Sequence, residues 1–326
     1  MVSGNRFGQS MSMPRIALAV RRVLTGLPFR RRARATVTTP GKLPHWAIGI
    51  YDGKSPFELL PPADLQNPVL TFADVTDVPA SFVADPFMVR SDGVWYMFFE
   101  VMVRSLGIGQ IGLAISDDGR AWKYQQIVLA EPYHLSYPYV FEWMTDYYMI
   151  PESYIVGSVC LYKAVKFPTE WVFVNTLLTG PHYADSSIFR YQDRWWMFTE
   201  SSLDMKHDSV RLFYSEHLEG PWLEHPRSPV VDNNPHVARP SGRVLVINGK
   251  PVRYAQDCFP IYGTQVRALE ITELTTENYQ EREIGEHPLL TGSGSGWNKD
   301  GMHHVDHHRL DSGGWIACVD GWHWNS

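Results

Sequence analysis

Acidic side chains recur at matched places along this chain. Asp85 and Asp185 each open an apolar run, while Glu100, Glu152, Glu200 and Asp320 each close one. Tyr137, Arg239, Gln256 and the pair His303-His304 hold the corresponding places in the remaining runs. An apolar core has no use for carboxylates, because burying one is costly unless it is paired or hydrogen-bonded. One reading is therefore that they pair with Arg239 and with backbone amides. The other is chemical. Crowded carboxyl groups push each other's pKa values apart, so one becomes an acid and another a base near neutral pH. Glycoside hydrolysis needs that combination, one carboxylic acid for the leaving oxygen and one carboxylate as nucleophile or base. Tyr137, Tyr139, Trp143 and Tyr183 lie close by in sequence, and such rings stack on sugar faces or simply pack.

The elements that must hold these residues repeat. Short apolar pieces at Pro68–Thr71, Ile127–Ala130, Thr176–Thr179, Pro229–Asp232 and Pro288–Thr291 advance by 59, 49, 53 and 59 residues. Each copy continues into two aromatic and β-branched runs around a turn, such as Ser91-Asp92-Gly93, Gln192-Asp193, Asn248-Gly249 or Gly313-Gly314. These are hairpin signals. Four copies add a third strand, at Ile111–Ser116, Val159–Ala164, Val210–Ser215 and Val266–Ile271. The last copy lacks one, and Trp46–Tyr51 near the other end of the chain has the matching pattern. The prediction is an all-β, five-bladed β-propeller closed by an N-terminal strand, a device that removes exposed sheet edges. In such a ring the start of strand one and the end of strand two meet at one mouth. The recurrent acids then gather there.

His303-His304-Val305-Asp306-His307-His308 is read separately. Alternation along a strand puts His304, Asp306 and His308 on one side, a three-ligand pattern. A structural or substrate-orienting role is preferred, and neither a metal nor a cofactor is expected.

Composition limits the alternatives. The chain is 44% hydrophobic and 20% charged, so most of it can build a core. The three cysteines, Cys160, Cys258 and Cys318, are far apart and argue against a disulfide framework or a thiolate zinc site. Residues 1–51 hold eight Arg, one Lys and no acid, and the remaining 275 residues carry a charge of −15. An acidic body excludes nucleic acid as partner. Residues 1–40 are expected to be a disordered basic leader and 41–326 the propeller domain. The sharper reading of the leader is a short basic amphipathic helix touching anionic lipid. With neither a secretory signal nor an 18-residue apolar span recognised, the expected location is cytoplasmic or peripheral to a membrane.

Phe82-Val83-Ala84-Asp85-Pro86-Phe87, His134–Glu142, Met149-Ile150-Pro151-Glu152-Ser153 and Ala184–Phe189 resemble the N-terminal domain of glucosamine inositolphosphorylceramide transferases, over about residues 45–324. That domain is similar to the five-bladed propellers of arabinanases, xylosidases, invertases and levansucrases. The resemblance implies a carbohydrate-active protein, a glycosidase or transglycosidase. In those enzymes an Asp-Pro on the first blade is base or nucleophile, a later Asp tunes the site and a Glu is the acid. Asp85-Pro86 matches the first, Asp185 the second. For the acid, Glu142, Glu152 and Glu200 all qualify, with Glu152 first choice and Glu200 second. Glu100, Tyr137, Glu142, Arg239, Gln256, His303, His304 and Asp320 are expected to contact a glycan or glycoconjugate. Plant members carry a glycosyltransferase domain after the propeller. The alternative is therefore a non-catalytic glycan-binding module partnering a separate glycosyltransferase.

Overall fold

The computed structural model describes residues 44–324. The leader expected over residues 1–40 lies outside them. Five antiparallel sheets follow one another along the chain. Blade 1 runs through Ala80–Ser91, Val94–Val103, Ile108–Ser116 and Lys123–Leu129, and blade 2 through Ser136–Trp143, Asp146–Glu152, Ser158–Lys166 and Glu170–Thr179. Blade 3 comprises Ala184–Tyr191, Arg194–Glu200, Val210–Ser215 and Leu223–Glu224. Blade 4 comprises Leu245–Ile247, Lys250–Asp257, Gln265–Leu274 and Tyr279–Glu283, with Leu290–Thr291 pairing its third strand. In blade 5, Val305–Arg309 and Trp315–His323 are completed by His45–Ser55 and Glu58–Leu60. His45 pairs with His323 and the register holds to Gly53 opposite Trp315, so the N-terminal strand closes the ring as the pattern predicts.

The recurring apolar piece does one job in every blade. Leu70, Leu129, Leu178, Val231 and Leu290 pair with Ile48, Ile111, Val159, Val210 and Val266 of the third strands. All five third-strand partners are buried, which explains why apolar residues recur at these positions. Aromatic rings fill the space between blades, as where Trp171 meets Phe98 edge-on and Trp195 packs on Trp143.

One strand differs from expectation. The repeat makes the run from Arg239 to the Asn248-Gly249 turn the inner strand of blade 4, yet only Leu245–Ile247 is regular. Pro240 has no N–H for a ladder. Gly242 sits at φ +113, where a Cβ would strike the Val305 carbonyl. The segment instead makes single bridges, Pro240 to Ala255 and Gly242 to Val305.

Among the described residues there are no α-helices, only short 3₁₀ turns, and no helix is long and apolar enough to cross a membrane.

Candidate active site

Three inner strands carry the same irregularity. The pairing register shifts between Ala84 and Phe87, between Ser136 and Tyr139, and between Ala184 and Ser187. Inside each bulge stands a non-glycine residue with left-handed backbone, Asp85 at φ +53, Tyr137 at +44 and Asp185 at +48. Such a conformation costs roughly 1 kcal/mol or more per residue. It also turns the residue's N–H out of the ladder toward the channel, where a neighbouring blade's carboxylate accepts it. The Asp85 N–H donates to Asp320 Oδ2 at 2.9 Å, that of Tyr137 to Asp85 Oδ2 at 3.3 Å, and that of Asp185 to Glu152 Oε2 at 3.1 Å. The acids thus join blade to blade around the mouth.

Arg239 is the positive centre. Its Nε donates to Asp185 Oδ2 at 2.6 Å and its Nη2 to Glu152 Oε2 at 3.1 Å, while Nη1 lies 3.8 Å from Glu200 Oε2 and donates to His207 Nδ1 at 3.0 Å. Gln256 Nε2 adds a second donor to Asp185 Oδ2 at 2.7 Å. Burial tends to raise Glu200, but His182 at 3.3 Å, Arg239 and Ser202 bring it below the usual range for a glutamate.

The second group lies on the blade 5 side. His303 Nδ1 is 2.7 Å from Asp320 Oδ1, and its Nε2 is 3.7 Å from Asp85 Oδ1. Burial disfavours charge on both His303 and Asp320, yet their mutual attraction wins. The imidazole is raised and the Asp320 carboxyl lowered. Asp85 is left with the deficit. Burial pushes it up to about 7, with His303 and Arg239 opposing and Asp185 and Asp320 adding to the rise. Glu100 is likewise raised well above its ordinary value, by burial and then by the neighbouring Asp85, Glu152, Asp185 and Asp320. Asp85 Oδ1, Glu100 Oε1 and Glu200 Oε2 are all buried without a hydrogen-bond partner. One ligand atom each from Asp85, His303 and Asp320 falls within 4.8 Å of the others, a set able to hold a cation.

The mouth therefore unites Asp85, Glu100, Glu152, Asp185, Glu200, Arg239, Gln256, His303 and Asp320. Solvent reaches Asp85, Glu100, Glu152 and Arg239, which keep 5–7% exposure, and barely touches Asp185, Glu200 and Asp320 at 0–1%. Glu142 is not part of it. Strand one of blade 2 leaves the mouth at Ser136, and six residues of strand carry the chain roughly 20 Å away. Glu142 is exposed beside the far turn, opposite Tyr147. Tyr137 has its ring pointing down the channel. Its hydroxyl shares hydrogen bonds with Ser187 Oγ at 2.8 Å and with the backbone of Gly242, so it offers no face to a sugar. His304 lies at the same depth against Phe87 and Tyr137, with both ring nitrogens unpartnered, and burial lowers it to about 4. Below this layer Arg243 binds Asp306 at 2.8 Å and the Val140 carbonyl at 2.9 Å. Asp306 also takes His308 at 3.1 Å, so His304, Asp306 and His308 do not converge as three ligands.

The aromatic expectation also needs correction. Tyr139 lies beside Arg243 in the lower layer, Trp143 packs on Trp195, and Tyr183 on Phe213. The rings at the mouth are Trp46, 4.1 Å from His303; Tyr262, 5.2 Å from the Arg239 guanidinium; and Tyr154, 5.0 Å from His182. Trp46 belongs to the closing strand His45–Ser55, whereas Tyr262 and Tyr154, with His134, His182 and His207, come from segments flanking the inner hairpins. Their position after strand two or before strand one was the available signal, since both kinds of segment open on the mouth.

Comparison with known proteins places the chain. The family described as glucosamine inositolphosphorylceramide transferase 1, N-terminal, matches residues 40–322. The glucosamine inositolphosphorylceramide transferase 1 of Oryza sativa subsp. japonica is 37% identical over 312 residues, covering 89% of this chain and 41% of the relative. That of Arabidopsis thaliana is 33% identical over 296 residues, covering 85% and 39%. The chain thus spans about two fifths of the length of these curated relatives. Among solved structures, the catalytic domain of the Coprinopsis cinerea GH62 alpha-L-arabinofuranosidase aligns with a TM-score of 0.56 at 12% identity, covering 83% of this chain and 96% of that one. A family 117 glycoside hydrolase from Zobellia galactanivorans aligns with a TM-score of 0.51 at 13% identity, covering 73% and 84%. At these identities the likeness is one of fold. By sequence, the chain belongs to the glucosamine inositolphosphorylceramide transferase 1 N-terminal family.

Proposed function

We propose that this propeller is carbohydrate-active and breaks or transfers a glycosidic bond at its mouth. Asp85 is the base or nucleophile and Glu100 the acid. The observation that carries the reading is that Asp85 and Glu100 each combine a buried, unpartnered oxygen, Oδ1 and Oε1, with a raised carboxyl, whereas Glu200, whose Oε2 is also unpartnered, is lowered. Glu152 and Glu200 are less suited to the part. Glu152 Oε2 holds Arg239 and the Asp185 N–H, and Glu200 is held ionised and is unsuited to giving up a proton. Glu100 is raised, which keeps a proton available for a leaving oxygen, while Asp85 near 7 is poised to accept one. Asp185 and Glu152 then serve to hold Arg239 in place, a positioning role, and Tyr262, Tyr154 and Trp46 offer rings to a sugar.

A second reading has its own support, because Arg239, Gln256 and backbone amides satisfy much of the charge, as a glycan-binding module requires. In that case the chemistry belongs to a glycosyltransferase partner.

A screen of aryl glycosides and glycans separates the two. The wild type should turn over at least one, and Asp85→Asn and Glu100→Gln should each lose about 10²–10⁴-fold in rate while still binding it. Binding without turnover in the wild type would establish the module. Full activity in both variants would move the chemistry elsewhere.

A further inference from the structure

The face that holds the carboxylate mouth also gathers exposed apolar loop tips. Four loops join strand two to strand three on this side. They expose Leu106 in blade 1, Ile155 and Val156 in blade 2, Leu203 in blade 3, and Phe259 and Ile261 in blade 4, at 41–70% each. Four of the five hairpin turns on the opposite face are polar, Asp92-Gly93, Gln192-Asp193, Asn248-Gly249 and Asp311–Gly314, and the exposed apolar side chains there are Met144 and Val246. The loops are contiguous around the mouth. Tyr262 of the blade 4 loop touches His207 of the blade 3 loop at 5.2 Å and Trp46 of blade 5 at 6.4 Å. Basic side chains stand among the apolar ones, Arg104 in the first loop and Lys206 in the third.

We propose that this face docks on an anionic lipid bilayer, with the loop tips entering the interface. Scattered apolar residues need no explanation, but tips concentrated on one face and interleaved with cations have the composition of an interfacial surface. The path of the chain points to the same occupant. Strand His45–Ser55 starts on this face, opposite His323. Residues 1–43 include eight Arg and Lys42 and no acid. A bilayer with acidic headgroups complements the charge of that sequence. The exposed acid on the third loop, Asp204, is paired with Lys206 at 3.3 Å. This inference stands apart from the chemistry proposed above and survives if the mouth proves only to bind glycans.

The test is flotation of the full chain with vesicles of phosphatidylcholine alone or with about a third phosphatidylserine. The wild type should float with the anionic vesicles, more weakly as salt rises. Leu203→Asp with Phe259→Asp should lower partitioning on the order of tenfold or more without changing the melting temperature, because both side chains are exposed. Arg30→Glu, Arg31→Glu and Arg32→Glu together should lower it chiefly at low salt. Met144→Asp with Val246→Asp, the same charge change near the opposite turns, should leave it unaltered. The proposal is overturned if the wild type stays with the soluble fraction, if the Leu203/Phe259 variant floats like the wild type, or if the control pair loses as much. It is also overturned if light scattering finds a dimer that the Leu203/Phe259 change dissociates, since the face then belongs to a second copy.

Discussion

Asp85 is where geometry and charge conflict most directly. Its ordinary value of 3.8 is pushed up to about 7, so the folded protein retains a proton that the unfolded chain releases. That preference stabilises the fold fully below the unfolded value and is lost as the pH rises through about 7. In Asp85→Asn this contribution no longer varies with pH, and asparagine tolerates the positive φ. The variant's melting temperature should therefore fall less than the wild type's between pH 4 and 8, and parallel curves would contradict the assignment. Arg239 has the opposite character. It faces Asp185, Glu152 and Glu200 with only 7% exposure, so Arg239→Met strands buried carboxylates and should cost roughly 3–5 kcal/mol in urea denaturation. Adding Asp185→Asn should recover part of that loss. If Arg239→Met alone is neutral, the mouth is wetter than its burial implies.

At the scale of the strand, the bulge is the unit that builds the site. A regular strand would point the Asp85 and Asp185 N–H groups along the ladder, and the acids of neighbouring blades would lose their donors. The signal for it in the sequence was faint. Pro86 and Pro138 mark two of the three bulges, and Ser186 gives no hint of the third. The hairpins, by contrast, were legible because alternation and turn residues are local properties. The matched carboxylates were legible through the repeat. The commitment of Glu152 was not, because it depends on which way Arg239 reaches across the ring. The closing strand was legible as a missing third strand. Ile48 and Ile50 are fully buried in it, and nine residue pairs join it to Trp315–His323. Removing residues 1–60 should abolish the cooperative melt and removing 1–36 should preserve it. Equal melting temperatures would mean the ring closes without that strand.

At the scale of the whole molecule, the ring is filled rather than hollow. Beneath the mouth come Tyr137, Ser187 and His304, and beneath these Arg243 with Asp306, so a ligand must enter and leave by one face. Blades pack through rings of aromatic and branched side chains, whereas closure depends on pairing between segments near the two ends of the chain. That pairing has a consequence in time. On the ribosome, His45–Ser55 is made well before its partner Trp315–His323. At roughly 5–20 residues per second, the early strand waits for tens of seconds with one edge unpaired. Its apolar positions, Ile48 and Ile50, are a hazard during that interval and a seal afterwards. A nascent chain stalled before Trp315 would have all the pieces of four blades and no way to lock them.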